Sequence, residues 1–74
     1  MQKSEIKDQL RRTGCSYTDL DNGVRVSALG PQSPGSERKT EVRVSREGEE
    51  LHLSQHPTHG TAAKQYVDLV EEYR

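Results

Sequence analysis

Three histidines, His52, His56 and His59, crowd one short stretch of a 74-residue chain. Imidazoles that close could gather on a zinc ion or trade protons as general acids and bases. Neither chemistry finds its other parts in the sequence. No Cys or acidic residue completes a familiar ligand spacing around them, and Cys15 is distant in sequence. The plainer expectation is a set of surface histidines around a strand end, with no metal and no cofactor. Ser, His and Asp all occur, but there is no Gly-x-Ser-x-Gly elbow and no phosphate-cradling glycine loop. The pairs Glu49-Glu50 and Glu71-Glu72 fall in a turn and on a polar helix face. Neither has the apolar surroundings that turn a carboxyl group into a general acid. The sequence leans away from an enzyme without excluding one.

A second chemistry belongs to the arginines. Val24-Arg25-Val26-Ser27, Glu41-Val42-Arg43-Val44-Ser45 and Leu51-His52-Leu53-Ser54 each alternate apolar with polar. On a strand that alternation separates two faces. With the valines, Leu51 and Leu53 pointing inward, Arg25, Ser27, Arg43, Ser45, His52 and Ser54 point outward. Arg38 and Lys39 stand at the entrance to the strand that carries Arg43. Guanidinium groups beside hydroxyls suit phosphate oxygens by charge and bidentate geometry. Arg25, Arg43, His52, Arg38 and Lys39 are therefore the expected contacts to a nucleic acid, RNA in particular, or to another partner. The bland alternative is an ordinary solvated sheet face. No aromatic is expected there, which weakens single-strand stacking.

Composition limits these readings. Eleven basic and 12 acidic side chains leave a formal net charge of -1, so bulk positive charge gives no argument for nucleic acid. The acidic residues Asp68, Glu71 and Glu72 gather near the end, so a basic face and an acidic back remain compatible with neutrality. Only 28% of residues are hydrophobic, with no Trp and no Phe. The core must come from Ile6, Leu10, the valines, Leu51, Leu53 and the three tyrosines. A second copy of the chain would add buried area to so thin a core. One cysteine forms no internal disulfide, which excludes a secreted cystine scaffold; Cys15 is expected to be small and semi-buried. No apolar run approaches the roughly 20 residues of a membrane span, and no signal-peptide core follows Met1. A cytoplasmic location is expected.

The elements that position these residues follow from periodicity and breakers. Gln2 to Thr13 reads as a helix with Ser4 as N-cap, Ile6 and Leu10 on one face, and Gly14 as the stop. Tyr17 to Leu20 is a weak strand, and Asp21-Asn22-Gly23 turns the chain into Val24–Ala28. Residues 30–38, rich in Gly, Pro and Ser, read as an exposed, mobile loop. Glu41–Ser45 and Leu51–Ser54 form a hairpin across Arg46-Glu47-Gly48-Glu49. Thr61 is the expected N-cap of a last helix with Ala62, Ala63, Tyr66, Val67, Val70 and Tyr73 on its apolar stripe. Tyr66 and Tyr73 either pack on the sheet or protrude as anchors of a homodimer. Residues 1–74 thus read as one small α+β domain. It is a two-layer sandwich, with the terminal helices on one face of a three- or four-stranded antiparallel sheet.

Short runs at both ends resemble the HicA-type mRNA interferases, whose fold is that of a double-stranded-RNA-binding domain. Lys3-Ser4-Glu5-Ile6, Leu10 and Gly14 are similar to the family's first helix and its closing glycine. Asn22-Gly23 sits near the glycine before its second strand. Leu53, His56-Pro57 and Gly60-Thr61 resemble its strand, His-Pro and helix start. The resemblance implies the fold and an ancestral RNA-contacting sheet, making the chain a degenerate relative of a toxin–antitoxin nuclease. It does not carry the nuclease activity over, because Val24 and Arg25 stand where the family has its catalytic histidine. Three functions stay open: a non-enzymatic module contacting RNA or DNA through a basic face, a degenerate interferase, or a small protein-binding inhibitor or adaptor. The last is of the kind phages and mobile elements encode against host defences.

Overall fold

A computed structural model describes residues 2–30 and 39–74. The order is α1 (Lys3–Thr13), β1 (Cys15–Asp19), β2 (Val24–Leu29), β3 (Thr40–Arg46), β4 (Glu49–His56) and α2 (His59–Tyr73). The four strands lie side by side in sequence order, each antiparallel to the next. Both helices pack on one face of the sheet and against each other, which is the expected α+β sandwich. Of the loop expected over 30–38, residues 31–38, and with them Arg38, lie outside the described residues. Gly30 does not fit that loop. It is buried, and its N–H donates to the Gly14 carbonyl at 2.7 Å. No helix among the described residues is long and apolar enough to cross a membrane.

Local signals set most boundaries. α1 begins after Gln2, which offers no side-chain cap, so Ser4 is inside the helix rather than its N-cap. It ends at Gly14, whose φ of 80° lets its N–H close on the Leu10 carbonyl. α2 starts three residues earlier than its Thr61 signal suggests. Thr58 is the cap, and its hydroxyl accepts from the Thr61 N–H at 3.2 Å. Between β3 and β4 only Glu47 and Gly48 turn the chain, both at positive φ (50° and 83°). This is the two-residue hairpin geometry that matches sheet twist.

The core holds Ile6 and Leu10 from α1, Val24, Val26, Ala28, Val42 and Val44 from the sheet, and Ala62, Ala63, Tyr66, Leu69 and Val70 from α2. Tyr66 is wholly buried and ties α2 to the sheet, its hydroxyl lying 2.5 Å from Thr18 Oγ1 on β1. It is therefore no protruding anchor. Tyr73 is half-buried against the same core, and its carbonyl accepts from Asn22 Nδ2 at 2.7 Å.

The largest departure from the sequence reading is β4. A two-residue turn with strict pairing would set Leu51 opposite Val44 and Leu53 opposite Val42, inside. Instead Ser45 faces Glu50 while Val44 faces His52, so β4 carries one extra residue at that point. That bulge inverts everything after it, because side chains alternate with a period of two. His52, Ser54 and His56 face the helices, and Leu51 and Leu53 are left 38% and 47% exposed.

Candidate functional site

The sheet face turned away from the helices carries Cys15, Tyr17 and Asp19 from β1, and Arg25, Ser27 and Leu29 from β2. Glu41, Arg43 and Ser45 from β3 and Glu50, Leu53 and Gln55 from β4 complete it. Arg25 and Arg43 are on it as expected. Cys15 is there too, exposed rather than semi-buried. Lys39 is exposed just before β3. His52 and Ser54 are not on it, for the reason given by the bulge.

Neither arginine projects alone. Arg25 grips Asp19, its cross-strand neighbour, with Nε to Oδ1 at 2.6 Å and Nη2 to Oδ2 at 3.0 Å. Its guanidinium carbon also lies 4.7 Å from the centre of the Tyr17 ring. The hydrogen bonds from Arg25 hold the Asp19 carboxyl below its ordinary range, and Asp19 raises the guanidinium in return. Arg43 Nη2 donates to Glu41 Oε1 at 2.8 Å, and its Nε lies 3.3 Å from Glu50 Oε1. The face thus sets Asp19, Glu41 and Glu50 against Arg25 and Arg43. Among these strand residues it is mixed in charge rather than basic, and a polyanion would have to displace carboxylates from both guanidinium groups.

Between the paired charges the face is apolar. Tyr17 is 64% exposed and Leu29 42%, and with Leu51 and Leu53 they are the large hydrophobic side chains left open among the described residues. A shallow depression of about 280 Å³ runs over β1, β2 and β3 between Tyr17, Leu29 and Arg43. Tyr17 is the aromatic that the sequence reading did not expect here. The turn at Asn22-Gly23 places Asp19 opposite Arg25, and alternation then puts Tyr17 on the side of Arg25, so the signal was present.

His52 and His56 lie on the helix side of the sheet, half-buried and joined through Ser54. Ser54 Oγ lies 3.0 Å from His52 Nε2 and 2.8 Å from His56 Nε2. A hydroxyl has one proton, so it donates to at most one of these nitrogens and must accept from the other. His59 opens α2 beside Gly30, where a Cβ would meet its Nε2 at 3.7 Å. Among the described residues, no three of His, Cys, Asp and Glu come together in an arrangement able to hold a metal ion.

No protein-family model matches the chain, and neither the curated proteins nor the solved structures yield a match.

Proposed function

We propose that this chain is a non-catalytic binding module that docks a protein partner on the open face of its sheet. One observation carries the reading: Tyr17, Leu29 and Leu53 are exposed on the same face where both arginines are already engaged by carboxylates. An apolar surface ringed by satisfied ion pairs has the anatomy of a protein interface, with an apolar centre and a polar rim. A nucleic-acid face needs cations available to phosphate. Here two guanidinium groups are shared among three carboxylates. An interferase-like activity draws no support from the strand position the resemblance points to, since Val24 is buried and Arg25 is bound to Asp19.

The test is affinity capture from lysate of the cells that encode the chain, after nuclease treatment, with three baits. The parent is expected to retain a protein that the Tyr17→Ser, Leu29→Ser double variant loses and the Arg25→Ala, Arg43→Ala double variant keeps. Titration with labelled RNA at low salt is the opposing arm. RNA binding that depends on Arg25 and Arg43, with a salt slope reduced by about two in the double variant, overturns the protein reading.

A further inference from the structure

β4 is an edge of the sheet. It pairs with β3 on one side, and no strand among the described residues pairs with the other. Unpaired edges template association, and proteins blunt them with brevity, Lys, Pro or a bulge. β1, the opposite edge, is only five residues long. β4 has eight. Its bulge is confined to the start, where Glu50 and Leu51 meet Ser45. From His52 to His56 the strand runs regularly, with no Lys, Arg or Pro.

We propose that a second copy of this chain pairs antiparallel along Leu51–Gln55, joining the two sheets into one across a two-fold axis at Leu53. The register follows from the faces. Residues directly opposed across a ladder share a face, so a two-fold pairing of β4 with itself must pass through a residue, not between two. An axis at His52 would set both residues of the bulge, Glu50 and Leu51, into the ladder, against Ser54 and Leu53. An axis at Ser54 would set the two imidazoles of His52 and His56 against each other and end the ladder at Pro57, which has no N–H to give. The axis at Leu53 brings only Leu51 of the bulge into the ladder, at its ends, and keeps Pro57 outside. Leu53 meets Leu53 on the outer side, Leu51 meets Gln55, and His52 meets Ser54 on the helix side.

A second copy fits this edge because the edge is complementary to itself. The paired stretch holds no formally charged side chain, so the axis brings no like charges together. Leu53, 47% exposed in the single chain, gains an apolar neighbour of its own kind. His52 meets a partner hydroxyl, the group it already bonds within its own strand at 3.0 Å. A ladder of five residues supplies about four to six main-chain hydrogen bonds. That is less than a standard interface, so a dissociation constant on the order of 100 µM is expected. Because the contact uses β4 on both copies, it closes at two and does not propagate. It rests on the edge of the sheet, and Leu53 is the residue it shares with the outer docking face.

Sedimentation equilibrium of the full chain from about 10 µM to about 1 mM, spanning that constant, reads the association. A monomer–dimer equilibrium is expected. Leu53→Lys, which sets two ammonium groups across the axis, should weaken it at least about tenfold with an unchanged circular dichroism spectrum. Register is read by oxidative cross-linking in a Cys15→Ser background. Leu53→Cys should link rapidly, since opposed Cα atoms lie about 4.5–5.5 Å apart. Gln55→Cys should not, because the two copies of that residue would be separated by about 14 Å along the strands. A monomer at every concentration overturns the proposal, as does a dimer that Leu53→Lys leaves intact. If Leu53→Lys does not fold, equal cross-linking at positions 53 and 55 overturns it instead.

Discussion

The inversion of β4 makes a quantitative demand on stability. Consider adding the same hydroxyl to the two faces of the sheet, as Val42→Thr and Leu53→Thr. Val42 is fully buried, and threonine is nearly its isostere, so the loss is that of burying an unpaired hydroxyl. This costs about 1–3 kcal/mol. Leu53 is 47% exposed. Its full burial would be worth about 1.5–3 kcal/mol, so roughly half of that is at stake. Threonine recovers part through strand propensity and leaves its hydroxyl in water. The expected cost is below about 1 kcal/mol. Without the bulge Leu53 would lie inside, opposite Val42, and its replacement would cost about 2–5 kcal/mol, as other large-to-small core changes do. Urea unfolding at low protein concentration measures both, through midpoints compared at constant m. Leu53→Thr costing as much as Val42→Thr, or more, would refute the inverted register.

Two further outcomes follow from the buried tyrosine and the surface ion pair. Tyr66→Phe removes the hydrogen bond to Thr18 and should cost about 0.5–1.5 kcal/mol. Burial raises the Tyr66 hydroxyl above its ordinary 10.0. The parent's stability from this group is therefore full below about pH 10 and lost as pH rises through the folded value. Urea midpoints at about pH 8 and pH 11 should show a smaller alkaline loss in Tyr66→Phe. Asp19, held low by Arg25, should titrate below 3.8 when followed by NMR. Its contribution is present above the unfolded value and is lost as pH falls through the folded one. Arg25→Ala should return the titration toward the ordinary range, and an unshifted Asp19 in the parent would count against the bidentate pair.

Much of the fold was legible because its signals were local. Valines alternating at 24 and 26 and at 42 and 44 placed two central strands and their buried face, and Gly14 stopped α1. The stripe on α2 was read correctly at Ala62, Ala63, Tyr66 and Val70, although Leu69 was missed. The outer face was legible only in part. Tyr17 and Asp19 followed from the turn register, but their pairing with Arg25 required the side-chain geometry. The inward turn of His52 was not legible at all. A bulge depends on how twist and turn reconcile two strands in space, and Arg46-Glu47-Gly48-Glu49-Glu50 encodes it in no residue pattern. One unrecognised extra residue was enough to exchange His52 with Leu53, whereas the basic face failed for another reason, the carboxylates of Asp19, Glu41 and Glu50 beside the arginines.

The coverage of the sheet explains how the exchange is tolerated. Ala62 and Ala63 are fully buried, so α2 approaches the sheet closely, and it leans mainly on β2 and β3 with a smaller contact on β4. At the limit of that cover, half-buried His52, Ser54 and His56 satisfy one another by hydrogen bonds. The outward leucines are the other half of the same trade. Left 38% and 47% exposed, Leu51 and Leu53 together forgo about 1–2.5 kcal/mol of burial, a sizeable part of the stability of so small a domain. A second copy along β4 recovers some of that at Leu53, and a protein on the outer face recovers it at Tyr17 and Leu29 as well. The two contacts are compatible, since pairing along the edge leaves the outer face of each sheet open and doubles its width. Tyr17→Ser should then abolish capture of a partner while leaving the monomer–dimer equilibrium unchanged. Leu53→Lys should weaken the equilibrium at the edge, and its effect on capture measures how far the partner's footprint reaches toward β4.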